Sequence, residues 1–126
     1  MADAADTADS PDPRFLAGVD LFNRGAFFDA HEVWEELWRD CPAPDRRFYQ
    51  ALIQAAVALH HFDRGNHTGA ARLYRSGRRY MEPYRPAYRG IVIDPFWDAM
   101  AGHLAVALGN AGGPAPARPE ISLRPV

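Results

Sequence analysis

Phe22-Asn23-Arg24-Gly25-Ala26-Phe27-Phe28-Asp29-Ala30-His31-Glu32-Val33-Trp34-Glu35-Glu36-Leu37-Trp38 is the stretch whose reading decides the fold. An apolar run ends at Phe22, Gly25 supplies a stop, and a second run with helical spacing begins at Phe27. A glycine that ends one helix and a tight start to the next make a helical hairpin. The same grammar returns at an offset of 40: Phe62-Asp63-Arg64-Gly65, then Gly69-Ala70, then Tyr74. In each copy the alanine lets the second helix approach the first, and the aromatic follows four positions later. The Gly, Ala and aromatic spacing resembles a tetratricopeptide hairpin. Two copies are too few for a solenoid, so the spacing predicts an all-α, single compact domain of about five helices. Two antiparallel hairpins are joined by a C-terminal helix.

Helix signals set the expected boundaries. The first helix runs over 13–24, with Asp12 as N-cap and Pro13 at the first helical position. The second runs over 27–40 and is broken by Cys41-Pro42-Ala43-Pro44. The third runs over 45–64 and stops at Gly65. The fourth runs from 67 to about 80 behind Asn66, a natural N-cap. A Pro/Tyr/Arg loop follows over 83–93. The fifth starts at Asp94-Pro95, a capping residue and then Pro, and ends near Gly109-Asn110. No strands are expected. Residues 1–11 read as a disordered acidic segment, 12–111 as the helical domain, and 112–126 as a loose Pro/Gly-rich tail.

Composition sets limits on function. Apolar residues make up 48% and charged residues 24% of the 126, which is enough for a real core in one domain. A net charge of -2 gives no field for nucleic acid or an anionic membrane. One cysteine, Cys41, allows no internal disulfide and fits a reducing cytoplasm, the expected location. The acidic start lacks the apolar core of a signal peptide, and no run is long enough to span a bilayer.

The polar residues on buried faces carry the functional question. At about 100° per residue, Phe27, Ala30, Trp34, Leu37 and Trp38 share one arc of the second helix. His31 and Glu35 sit at its edge, while Glu32 and Glu36 face away. The third helix is apolar nearly all round except for the line Gln50, Gln54, His61. Buried polar groups need partners, and the simplest pairing brings the His31/Glu35 line against the Gln54/His61 line. Shifting by 40 turns His31 into Ala71, Glu35 into Arg75 and His61 into Leu21, so this polar group is not part of the repeating scaffold.

Two chemistries remain open for it. In one, His31, Glu35 and His61 ligate a divalent metal (zinc, iron or manganese), with Glu32 as catalytic general base. This is a partial match to the zincin helix, because Glu35 stands where a second His would be. Gln50, Trp34 and Trp38 would then line a pocket. In the other, His31, Glu35, Gln54 and His61 form a hydrogen-bonded network that fixes helix register. A third candidate lies on the fourth helix, where Arg72, Arg75, Arg78 and Arg79 share an arc near Tyr84, Arg85, Tyr88 and Arg89. An anion or single-stranded nucleic acid could use that face, although a net negative chain makes nucleic acid the less expected partner.

The motif Phe22-x-x-Gly25-x-Phe27-Phe28-x-x-His31-Glu32-x-x-Glu35-x-x-Trp38, followed by Ile53-Gln54-x-Ala56-x-Ala58-Leu59-x-His61 and Arg64-Gly65-Asn66-x-x-Gly69-Ala70, resembles domain-of-unknown-function family 309, small all-helical bacterial and archaeal proteins. The resemblance covers about residues 15–94. It implies that His31, Glu32, Glu35, Trp38, Gln54, His61, Asn66 and Gly69 are signature positions. It brings no settled activity, although a metal-dependent hydrolase label has been attached to some members. The leading expectation is therefore a module that binds a partner protein or a second copy of itself, with the metal and anion readings as alternatives.

Overall fold

The computed structural model describes residues 11–110 and 117–125. Five helices follow one another among the described residues: α1 (Pro13–Asn23), α2 (Phe27–Asp40), α3 (Arg46–Asp63), α4 (His67–Met81) and α5 (Ile93–His103). Each end has a local cause. Asp12 accepts from the Arg14 N–H at 2.8 Å, and Asn66 accepts from the Gly69 N–H at 3.0 Å, so both expected caps act on orphan amides. Gly69 leaves room for that cap, because a Cβ there would lie 2.5 Å from Asn66 Nδ2 and push the carboxamide aside.

The internal echo is a structural repeat. Gly25 and Gly65 have φ of 83° and 80°. The N–H of Gly25 donates to Phe22 O at 2.9 Å, and that of Gly65 to Phe62 O at 3.0 Å. The N–H of Ala26 donates to Leu21 O at 2.9 Å, and that of Asn66 to His61 O at 2.8 Å. These are the paired bonds that close a helix through a left-handed residue, made twice. Ala30 and Ala70 are both fully buried where the second helix of each hairpin meets the first.

α2 and α4 flank α3, and the core lies on the far side of α3 toward α1 and α5. Trp34, Phe15, Phe22, Phe48, Leu52, Leu59, Trp97 and Met100 are among its largest fully buried members. Two tryptophans seat on helix glycines. The Trp34 indole lies over Gly18 and donates to Phe15 O at 3.2 Å, and the far edge of the Trp97 ring lies over Gly77.

Three expectations need correction. The segment after α4 is not a plain loop. A 3-10 turn at Glu82–Tyr84 leads into an antiparallel hairpin, β1 (Ala87–Tyr88) with β2 (Ile91–Val92), closed by Arg89-Gly90. Arg89 and Gly90 have φ of 50° and 84°, the two positive values a tight hairpin turn requires. The strands hold two residues each, too few for an alternating pattern to register. α5 begins at Ile93 with Val92 as its N-cap and no side-chain cap, so Asp94 sits in the first turn. Past His103 the backbone continues as turns.

The tail expected to be loose is anchored over its described part. Ile121 is buried, its N–H donates to Asn23 Oδ1 at 2.8 Å, and its carbonyl accepts from Asn23 Nδ2 at 2.9 Å. Arg124 N–H donates to Gly90 O at 2.8 Å. One buried isoleucine and a two-bond clasp outweigh the Pro/Gly composition. Residues 1–10 of the acidic segment lie outside the described residues. No helix among the described residues is long and apolar enough to cross a membrane.

Candidate functional site

The expected polar group is spread along one face and does not converge. His31 is half-buried on α2 and donates from Nδ1 to the Phe28 carbonyl at 2.5 Å, one turn back on its own helix. Glu35 gives its carboxylate to Arg39 at 3.0 Å, also on its own helix. His61, on α3, lies with Nδ1 3.4 Å from Asn66 Nδ2, so it braces the cap of α4. Among the described residues no three His, Cys, Asp or Glu side chains are grouped to hold a metal ion. The expected ligand set His31, Glu35, His61 is therefore not assembled, because each member has taken a local partner. Glu32 is exposed. Trp34, expected to line a pocket, is fully buried in the core.

What α2, α3 and α4 build instead is a shallow outward face. Its floor is the least buried side of α3: Gln50, Gln54, Val57 and His61, all half-buried. Trp38 borders it from α2, half-buried, with the Arg46 guanidinium 4.1 Å from its ring centroid. Gln54 Oε1 and Trp38 Nε1 are enclosed with no hydrogen-bond partner among the described residues. At one end Phe28 stands 50% exposed, an aromatic left in water. Its ring centroid is 4.7 Å from His31 and 5.3 Å from His60, and His60 lies 6.2 Å from His61.

The rims of this face carry opposite charge. On α2, Asp29, Glu32 and Glu36 are exposed at i, i+3, i+7, which places them on one ridge. On α4, Arg72, Arg75 and Arg79 repeat that spacing, exposed and without an ion-pair partner among the described residues. The structural repeat equates Glu32 with Arg72 and Glu35 with Arg75, so corresponding positions of the two hairpins invert their charge. The wider arginine patch expected on α4 is smaller than the sequence suggests. Arg78 is held by Asp98 at 2.7 Å and Arg85 by Asp94 at 2.7 Å.

A second polar site was missed. Asp12, Arg14, Leu37, Asp40, Cys41, Pro42, Asp45, Tyr49 and Arg89 line an open cavity of about 230 Å³. It forms where the cap of α1, the end of α2, the start of α3 and the β-hairpin turn meet. Asp45 is 15% exposed and receives both Arg89, at 2.5 Å, and the Tyr88 hydroxyl. Arg14 bridges Asp12 at 3.1 Å and Asp40 at 2.8 Å. Burial pushes the Tyr49 hydroxyl up to about 12 and raises the Cys41 thiol, so both stay protonated at neutral pH. No sequence spacing announces this cavity, since Tyr88 and Arg89 lie 43 and 44 positions from Asp45. The one signal was Arg89 before Gly90, where a hairpin turn would sooner take Asn or Gly.

Comparisons with known proteins agree with the resemblance seen in the sequence. The family model described as "Domain of unknown function (DUF309)" matches residues 15–73. An uncharacterized protein, YpuF, of Bacillus subtilis (strain 168) is 36% identical over 69 residues, covering 54% of this chain and 40% of the relative. An uncharacterized protein of Aquifex aeolicus (strain VF5) is 35% identical over 71 residues, covering 56% of this chain and 21% of the relative. The matched segment thus accounts for less than half of either curated relative. No solved structure matches.

Proposed function

Since residues 15–73 match the model of domain-of-unknown-function family 309, we propose that this chain is a helical protein-interaction module that docks a partner polypeptide on the outward face of α2, α3 and α4. The observation that carries this reading is the half-open floor between an acidic and a basic ridge. A solvated helix layer would mix its charges and cover its aromatics. Here Phe28 is exposed, Trp38 and Val57 are half-exposed, and the two charges are sorted to opposite sides. Aromatic anchors inside a polar rim are the usual makings of a protein docking site. Separated ridges of opposite sign fix the orientation of whatever binds. The partner this face fits is a helix or strand with basic residues along one edge and acidic residues along the other. Two relatives that carry the matched segment inside longer chains are consistent with a reusable module.

The test is site-specific photo-crosslinking from position 50, on the floor, in cells producing the full chain. A position on the exposed side of α1, such as Leu16, serves as control. One polypeptide captured at position 50 and not at Leu16, and lost when Glu32→Arg and Glu36→Arg reverse the acidic ridge, supports the reading. Equal capture at both positions, or capture indifferent to the charge reversal, overturns it. Sedimentation equilibrium on the same variants tells whether the captured partner is a second copy of the chain.

A further inference from the structure

We infer that the cavity between Arg14, Tyr49 and Arg89 is a binding site for a small zwitterion, a molecule of α-amino-acid size with one carboxylate and one ammonium group. This inference is independent of the docking face, which lies on other residues.

The first observation is an unused donor. Tyr49 is 4% exposed and lines the cavity, and its hydroxyl makes no hydrogen bond among the described residues. The hydroxyl is not one of the sealed polar atoms, so it opens on the cavity and is available to donate to a ligand that enters. Arg89 adds to it. Its Nη2 is engaged by Asp45, while its Nε is enclosed and has no partner among the described residues. The Tyr49 O–H opens on the cavity, and the positive charge of Arg89 on the same wall favours an anionic oxygen there.

The second observation is the charge balance of the wall. Asp12, Asp40 and Asp45 face Arg14 and Arg89, and each arginine already has an opposite charge beside it. A simple anion would compete with Asp45 for Arg89, and a simple cation would compete with Arg14 for Asp40. A zwitterion offers an opposite charge to both sides at once and leaves the net charge of the wall unchanged. Asp40, with its side chain 68% exposed, is the carboxylate with most room left for an ammonium group. The cavity, about 230 Å³, lies below the roughly 300 Å³ at which pockets for drug-sized ligands begin. It therefore suits a ligand of few heavy atoms. In this arrangement the ligand carboxylate faces the Tyr49 hydroxyl and Arg89, and its ammonium group faces Asp40.

The third observation is that the arginine is held in place at a cost. Arg89 sits at φ 50°, where a side chain other than Gly or Asn is disfavoured by about 1–2 kcal/mol. Glycine at this position would relax the turn and lose only the guanidinium.

The experiment is amide NMR titration of the full chain with glycine, L-alanine, L-glutamate and L-arginine at millimolar concentration. Acetate and methylammonium serve as the two half-molecules. The expected result is saturable shifts at Cys41, Asp45 and Gly90 with at least one amino acid and weaker shifts with either half-molecule. Tyr49→Phe keeps the ring against Phe15 and Phe48 and should raise the Kd about tenfold, as the loss of one hydrogen bond to a charged group does. Arg89→Gly, which keeps the turn, should abolish saturation. No saturable shift with any amino acid, acetate binding as tightly as the amino acids, or an unchanged Kd in Tyr49→Phe would each overturn the proposal.

Discussion

The indole of Trp34 rests on the bare backbone of Gly18: a Cβ added there would stand 2.0 Å from Trp34 Nε1. That contact sets the spacing between α1 and α2, because Trp34 also donates to Phe15 O from the same edge at 3.2 Å. Gly18→Ala gains about 1 kcal/mol of helix propensity and loses more by displacing a rigid, fully buried ring. The expected net is a loss of about 2 kcal/mol, read from the denaturant midpoint at unchanged slope. Gly65→Ala is the comparison, with open space around its Cβ and only the φ of 80° to strain. It should cost about 1–2 kcal/mol with no change in tryptophan fluorescence, whereas Gly18→Ala should change that signal.

The clasp between Asn23 and Ile121 is two hydrogen bonds at 2.8 and 2.9 Å around one buried side chain. Asn23→Ala removes both and should cost about 1–2 kcal/mol. Hydrogen exchange should speed up at Ile121 and Arg124 and leave α3 unaffected. If exchange at Ile121 stays slow, the tail is held by Ile121 packing alone.

Tyrosine ionisation gives a pH dependence with a definite sign. Tyr49 has an ordinary value of 10.0, raised by burial to about 12 in the folded chain. The folded state therefore keeps its proton after the unfolded state has lost it. Its contribution is complete below pH 10.0 and falls away as the pH climbs toward 12. Urea unfolding at rising alkaline pH should show the wild type losing stability faster than Tyr49→Phe. Parallel loss in the two proteins would mean that Tyr49 does not carry this dependence.

His31 and Glu35 each bond within their own helix and are half-buried. His31→Ala and Glu35→Ala should therefore each cost less than about 1 kcal/mol. Adding zinc, manganese or iron should give the same thermal shift in His31→Ala as in the wild type. Elemental analysis of chelator-free protein offers a second measurement. Near-stoichiometric metal that disappears in His31→Ala would return the metal reading to consideration.

The helical scaffold was legible in the sequence because its signals are local. Caps at Asp12 and Asn66, stops at Gly25 and Gly65, and the 40-residue echo each act within a few positions. His31, Glu35, Gln54 and His61 are all half-buried, as the boundary positions of a helical wheel should be. Their chemistry was not legible. A helical wheel shows which side a residue occupies, but not that Asn66 turns back to His61. The cavity at Arg89 was beyond reach for a different reason. It is assembled from α1, the α2–α3 connection and a hairpin of two-residue strands, and none of these has a periodicity that points at the others.

The clasp at Asn23 also orders events in time. Its two halves are 98 residues apart, so α1 emerges from the ribosome long before the segment that completes it. Until that segment appears, the carboxamide of Asn23 lacks this partner, and the surface of α5 near Phe96 that Ile121 will reach stays uncovered. The hairpins can form as they are made, but the clasp closes only once Ile121 has left the ribosome. A nascent chain stalled before Ile121 would thus present an apolar seam that the finished protein hides.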